Sequence, residues 1–164
     1  MSKQAAGILV FRQITDTVEV LLVHLAGPMW AKRDCWSIPK GELDEDEDHL
    51  EAAFREFEEE LGSAPPVGEL IELGSLKSSG NKMNYIWAIE GDFDVTTFKS
   101  NTFTMEWPPK SGQQQEFLEN DRAAWFDLPT AKRKLFKSQI DFIDRLAERL
   151  AVEMQPDPEQ QSLL

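Results

Sequence analysis

Apolar residues come in short blocks along most of the chain and switch to helical spacing twice. Residues 5–11 and 18–25 have the length and aliphatic content of buried strands, with Asp16-Thr17 as the turn between them. Residues 27–34 read as a loop carrying Trp30, Lys32 and Arg33, and residues 37–41 as a second loop that Gly41 lets turn tightly. Leu50, Phe54, Phe57 and Leu61 then repeat at i, i+4, i+7 and i+11, which predicts an amphipathic helix burying those four residues. Gly62 ends that helix and Pro65-Pro66 prevents its continuation. Residues 69–78 and 83–90 predict a hairpin across Ser79-Gly80-Asn81-Lys82. The stretch 93–109 is irregular, with room for a short strand near 102–107 before Pro108-Pro109. Residues 123–128 form a strand, and Pro129 opens a helical stretch continuing through Phe142, Ile143, Leu146 and Leu150. The order of strands and helices gives a mixed α and β domain over residues 1–154, followed by a flexible tail at 155–164.

Charge changes this picture in one place. The chain has 164 residues with 30 acids and 17 bases, a balance of −13. Residues 42–60 alone hold eleven of the acids and one base, Arg55, leaving the rest of the chain at only −3. Glu56, Glu59 and Glu60 fall on one side of the central helix, about 130° from the apolar stripe at 100° per residue. Like charges at this spacing cost a helix a few tenths of a kcal/mol per pair. Two readings are open: a solvated acidic face, or a site for a hard divalent cation with oxygen ligands. Asp44, Asp46 and Asp48 open like a calcium loop. Its sixth and twelfth positions, however, are His49 and Arg55 instead of Gly and Glu, which excludes an EF-hand. No phosphate-binding P-loop motif is present.

The other bounds are coarse. A single cysteine, Cys35, leaves no internal disulfide and reads as a packing residue. The first residues lack the apolar core of a secretory leader, and no run has the length of a membrane span. A cytoplasmic protein is expected, with no membrane partner. The acidic balance and the absence of a basic run argue against bulk nucleic-acid binding. Oligomeric state is not legible.

The segment 41–62 resembles the signature box of the Nudix hydrolase family: Gly, five residues, Glu, seven residues, then Arg-Glu-apolar-x-Glu-Glu-x-Gly-apolar. Here it reads Gly41, Glu47, Arg55, Glu56, Phe57, Glu59, Glu60 and Gly62. Phe57 stands where an aliphatic residue is usual, and Ser63 replaces the final apolar one. The residues leading into Gly41, Trp36-Ser37-Ile38-Pro39-Lys40, also resemble family members, and the later part is similar to a bacterial nucleotide pyrophosphohydrolase-like subgroup.

The resemblance implies an α/β fold, an α/β/α sandwich around a mixed sheet, with a catalytic loop-helix-loop. It implies Mg²⁺ or Mn²⁺ held by Glu56, Glu59 and Glu60, with the Gly41 carbonyl as an extra ligand. A further acidic residue is expected from a late loop, some six residues before a tryptophan. Glu119 stands at that distance from Trp125, and Glu116 competes with it. Glu59 or Glu119 is the expected proton acceptor, Glu56 a further catalytic carboxylate, and Glu47 pairs with Arg55 to brace the helix. Lys40 and Arg33 are candidate phosphate contacts, with Lys82 a weaker one. Trp30, Trp87, Trp107 and Tyr85 are candidates to stack on a base, and His24 and His49 carry no expected role. The implied activity is hydrolysis of a pyrophosphate bond in a nucleoside diphosphate linked to another group, a nucleotide-type small molecule. A dinucleoside polyphosphate is an alternative substrate. A non-catalytic sensor on the same fold and an interaction domain with an incidental acidic helix are the other function classes.

Overall fold

The computed structural model describes residues 3–151, so the tail expected at 155–164 lies outside the described residues. β1 (Gln4–Ile14) and β2 (Thr17–Leu25) pair antiparallel only at their hairpin end, from Phe11↔Val20 to Ile14↔Thr17. Away from the turn they part. β3 (Trp36–Ser37) pairs there with β2, and β4 (Lys40–Glu42) pairs with β1 from Ala5↔Glu42 to Gly7↔Lys40. A side chain at Gly7 would overlap the Pro39 carbonyl and Lys40, so the glycine is what lets β4 approach this closely. The segment expected as a plain loop at 37–41 is thus partly sheet. These strands are too short for a period of two to show in sequence.

β5 (Leu70–Ser78) and β6 (Lys82–Glu90) form the expected hairpin, and β6 runs parallel to β1 through Gln4↔Met83 to Phe11↔Glu90. β7 (Thr102–Glu106) and β8 (Gln114–Leu118) make a separate two-stranded hairpin, and β9 (Asn120–Asp127) pairs antiparallel with the other edge of β2. β8 was not expected, because Gln114, Gln115 and Glu116 are all polar and all exposed.

The mixed sheet is covered on both faces, as the alternation along β1 requires. Ala6, Ile8 and Val10 pack with Ala52, Ala53, Phe57 and Leu61 of α1 (His49–Leu61). Leu9 and Phe11 pack on the opposite side with Phe142, Ile143, Leu146 and Leu150 of the C-terminal helix. This is the expected α/β/α sandwich. The α1 stripe needs correction: Ala52 and Ala53 are fully buried, while Leu50 and Phe54 are only partly covered. Small residues at the centre let the helix sit close to the sheet. Burial of Phe57 contributes about 1.5–3 kcal/mol.

The C-terminal helical stretch is also corrected. It is two helices, α2 (Leu128–Lys134), capped by Asp127 with Pro129 in its first turn, and α3 (Ile140–Ala151). Leu135 and Phe136 between them have ψ of 154° and 141°, which is extended backbone. Neither Gly nor Pro causes the break; tertiary bonds do. Buried Gln139 accepts from the Ile38 N–H at 2.9 Å and donates to Ser37 Oγ at 3.1 Å, tying the break to β3.

Candidate active site

The acidic face of α1 is organised by its one base. Arg55 donates Nε and Nη2 to the two oxygens of Glu47 at 2.8 and 2.9 Å, a two-pronged pair. Its Nη2 also reaches the Glu42 carbonyl at 3.1 Å. Its Nη1 donates to Glu56 at 2.9 Å and to both oxygens of Glu59 at 3.2 Å. Arg55 therefore does more than brace the helix: it spans three carboxylates and the preceding loop. Glu47 also accepts from the Asp44 N–H, and together these bonds hold its carboxyl down at about 2.

The α1 termini fix where the carboxylates go. Asp48 caps the helix by accepting from the Leu50 and Glu51 N–H groups. Gly62 closes it at φ 87°, where its N–H donates to the Glu58 carbonyl. Gly41 on β4 faces the middle of the helix, and a side chain there would overlap the Glu56 carboxylate. Beyond α1, the Lys99 N–H bonds the Leu61 carbonyl and the Asn101 N–H bonds the Glu59 carbonyl, both at 3.0 Å. The Asn101 carbonyl in turn accepts from the Glu119 N–H at 3.1 Å. A segment distant in sequence is thereby tied to the helix end, and it carries Glu119 with it.

Burial and mutual repulsion act on three of these acids in the same direction. Glu60 is pushed well above the ordinary carboxylate range by burial first, then by the charges of Glu56 and Glu119, with Lys40 opposing. Glu56 is raised by burial and by Glu59 and Glu119, and lowered in part by Arg55. Glu119 is raised by burial and by Glu59. Glu59 is the exposed member, with 42% of its side chain accessible, while Glu56 is 13% exposed. Glu116 lies on exposed β8, and the half-buried position among the box glutamates belongs to Glu119. Among the described residues no three carboxylate, imidazole or thiol groups are already drawn around one point. The donor set nonetheless fits a hard divalent cation. It is all oxygen, it resists ionising in the absence of added positive charge, and it lies against a glycine that leaves room for the Glu56 carboxylate.

Comparison with known proteins identifies the family. The family model of the NUDIX domain matches residues 1–146. The chain belongs to the NUDIX family. An 8-oxo-(d)GTP phosphatase of Mycolicibacterium smegmatis is 33% identical over 105 residues, which are 55% of this chain and 30% of that protein. A bis(5'-nucleosyl)-tetraphosphatase (asymmetrical) of Caenorhabditis elegans is 37% identical over 60 residues, 37% of this chain and 41% of that one. The chain thus spans less than half the length of either relative. Among solved structures, a C. elegans Ap4A hydrolase binary complex superposes with a TM-score of 0.62 at 20% identity, covering 90% of this chain and 98% of that one. That likeness shows the fold.

Beside the NUDIX helix lies a cleft of about 300 Å³ lined by Glu60 and Lys40 together with Lys82, Asn120, Phe136 and Gln139. Glu60 and Lys40 join the cleft to the carboxylate cluster. Burial, and then Lys82, push the Lys40 ammonium below the usual lysine range, opposed by Glu60, Glu56 and Glu42. Arg33 does not line the cleft: its guanidinium lies 5.4 Å over the Trp30 ring, and its carbonyl bonds to buried His24. His24 also contacts Asp121 at 2.7 Å, so this histidine pins the 27–34 loop to β9. Trp30 packs edge-on against Phe136 at 5.6 Å, beside the cleft. Tyr85 is packed against His49 and Trp87 against the α1 side of the core, which places both away from a stacking role. Trp107 lies at the end of β7, outside the cleft. Phe136, Gln139 and Asn120 were not anticipated. Only the bent course of the chain between α2 and α3 brings the first two here, and no local pattern signals it.

Proposed function

We propose that this NUDIX chain hydrolyses a phosphoric anhydride bond in a nucleoside diphosphate linked to another group, with Mg²⁺ or Mn²⁺ as cofactor. The observation that carries the reading is the juxtaposition of Glu56, Glu60 and Glu119, each reluctant to ionise unaided, with a cleft that Glu60 shares with two lysines. A pyrophosphate-linked substrate is an anion and is repelled by bare carboxylates. A divalent cation, when bound, supplies the positive charge for phosphate oxygens and acidifies water.

The chain's own residues divide the remaining work. Glu56, Glu60 and Glu119, with Glu59 and the Gly41 carbonyl, hold the cation. Arg55 and Glu47 fix the rotamers of Glu56 and Glu59 and keep α1 in register with the loop before it. Lys40 contacts a phosphate. Glu119, tied to the helix end through Asn101, takes the proton of the attacking water, whereas Glu59 is exposed and paired with Arg55. Within the substrate class, the two relatives support nucleoside polyphosphates, one being named for 8-oxo-(d)GTP and the other for a dinucleoside tetraphosphate.

The deciding experiment is a panel of nucleoside triphosphates, dinucleoside polyphosphates and nucleotide sugars incubated with Mg²⁺, with the products identified. Release of a nucleoside mono- or diphosphate, abolished by Glu60→Gln with the melting temperature retained, supports the reading. Absence of turnover across the panel at millimolar Mg²⁺ and Mn²⁺ overturns it.

A further inference from the structure

The sheet does not by itself fix the backbone that carries Glu119. β9 enters its ladder with β2 out of step: Leu25 faces Asn120 while His24 faces Arg122, so Asp121 is the extra residue of a bulge. On the other side of Glu119 the chain returns from the β7–β8 hairpin, which forms a separate sheet of its own. A two-stranded hairpin is a weak anchor. A carboxylate placed between a bulge and a detached hairpin needs another restraint to keep one direction.

Hydrogen bonds to the neighbouring chain supply it. The peptide groups flanking the Glu119 Cα are planar, so the two dihedrals between them decide where its Cα–Cβ bond points. The first plane is held by the Glu119 N–H, which donates to the Asn101 carbonyl at 3.1 Å. The second plane is held at both edges. Its carbonyl, that of Glu119, accepts from the Ala26 N–H at 3.0 Å. Its N–H, that of Asn120, donates to Ser100 Oγ at 3.1 Å. Asn101 is in turn fixed to α1 by donating to the Glu59 carbonyl at 3.0 Å.

Ser100 contributes a side chain to this set, whereas the other groups are main chain and are supplied by most residues. Its hydroxyl donates to the Asn101 carbonyl at 2.9 Å, which turns the oxygen's lone pairs toward Asn120. The same bond braces the carbonyl that holds the Glu119 N–H. Ser100 is 8% exposed and Asn120 2%, so removing the hydroxyl leaves a buried N–H without ready access to water.

We infer that Ser100 is a positioning residue, whose hydroxyl locks the peptide between Glu119 and Asn120 and so aims the Glu119 carboxylate at the glutamates of α1. Its effect on turnover rests on the hydrolytic role proposed above for Glu119, and its effect on the backbone does not.

Amide hydrogen exchange on the metal-free protein tests the backbone lock without turnover. In Ser100→Ala the Asn120 amide should exchange about tenfold faster or more, while the Lys99 amide, bonded to the Leu61 carbonyl, keeps its rate. Kinetics then tests the consequence. Ser100→Ala should lower kcat about tenfold and leave KM within about twofold, because a reacting group is misaimed while substrate contacts remain. In a Glu119→Gln background the same change should cost less than about twofold, whereas a residue that only supports the fold costs the same in both backgrounds. Should Ser100→Ala not fold, Ser100→Cys keeps a weaker donor and acceptor and gives the same pattern at smaller amplitude. Unchanged exchange at Asn120, or equal losses of kcat with and without the Glu119 carboxylate, overturns the assignment. Faster exchange at Asn120, in a protein for which the nucleotide panel shows no hydrolysis, keeps Ser100 as the lock and removes the hydrolytic reading.

Discussion

Gly41→Ala is the substitution for which the site makes its sharpest demand. Gly41 does not have a positive φ, so an alanine backbone is unstrained there, and the change should gain about 0.4–1 kcal/mol by restricting the unfolded chain. What the methyl group meets is the Glu56 carboxylate, whose carbon and both oxygens occupy its position. The carboxylate is the far end of a flexible side chain, so it moves and β4 stays paired with β1. Moving it breaks the 2.9 Å bond from Arg55 Nη1, a loss of about 1.5–3 kcal/mol for a hydrogen bond between charges. Two effects offset part of this loss. Arg55 keeps Glu47, and a largely buried carboxylate with raised proton affinity is released toward water.

The net expectation is a destabilisation of about 1 kcal/mol, or roughly 2–4 °C in melting temperature for a domain of this size. Activity should respond very differently, falling about 100-fold because a reacting group is displaced by an ångström or more. Mn²⁺ affinity should fall with it. Differential scanning fluorimetry, steady-state kinetics and Mn²⁺ titration read the three quantities separately. A double-mutant cycle sharpens the test: with Glu56→Ala in place the space is vacated, and Gly41→Ala should then be neutral or stabilising. If Gly41→Ala costs the same stability in both backgrounds, or if kcat/KM and Mn²⁺ affinity stay within about twofold of the parent, the contact does not govern the site.

Glu119→Gln should lower kcat by about 100-fold or more while Glu116→Gln stays near the parent, and equal losses in the two variants would refute the choice of Glu119 as proton acceptor. Gly62→Ala should destabilise by about 1–3 kcal/mol, because φ is 87° and a side chain there would lie 2.7 Å from the Lys99 carbonyl; an unchanged melt would show that the helix end is not held as described. The pH dependence of metal-free stability has a worked sign. Glu56, Glu60 and Glu119 have folded proton affinities above the ordinary 4.5, so their contribution is complete below that value and is lost as pH rises through the raised ones. Glu47, held at about 2, contributes above 4.5 and loses its effect as pH falls toward 2. The metal-free melting temperature should therefore be highest near the ordinary carboxylate value of 4.5 and decline as pH rises above it, and millimolar Mg²⁺ should flatten the decline by binding only the folded cluster. A metal-free curve that rises across that range, or a decline unaffected by Mg²⁺, would contradict the coupling.

The legible part of this protein is the part whose information is local. Twenty-two consecutive residues hold the helix period, its glycine stop and the spacing of its carboxylates, so α1 and its neighbours follow from the sequence almost completely. The role of Gly41 does not. Sequence suggested a tight turn, whereas the structure shows a strand position kept bare so that a carboxylate from another element fits against it. The break between α2 and α3 was hidden for a related reason. Its cause is Gln139 bonding to Ile38, 101 residues earlier, and nothing in the intervening sequence interrupts the helical spacing. β8 was hidden because its polar pattern pairs only with β7 and packs against no core. The cleft is assembled from β2, β3, β4, α1, the β5–β6 turn, β9 and the α2–α3 connection, so its residues acquire a common role only in three dimensions.

Three consecutive residues show why such a concentration of acids can persist in a folded protein. β4 is Lys40-Gly41-Glu42, and each residue serves a different charge system. Lys40 faces the cleft it shares with Glu60, Gly41 gives its space to Glu56, and Glu42 pairs with Lys82. Gly7 in turn lets this short strand lie against β1. The sheet therefore sets the distance between an acidic half-site and a basic one to within the width of a single strand. Arg55 holds the acidic half together on the helix side by bonding Glu47, Glu56 and Glu59 at once. Burial of Glu56, Glu60 and Glu119, and then the repulsion among neighbouring carboxylates, is not removed by this arrangement but held in place, and both raise their proton affinities. A scaffold that relieved it fully would leave no driving force for a cation to enter. That residual repulsion links the unfavourable charge pattern of residues 42–60 to a function that needs positive charge brought to a phosphate.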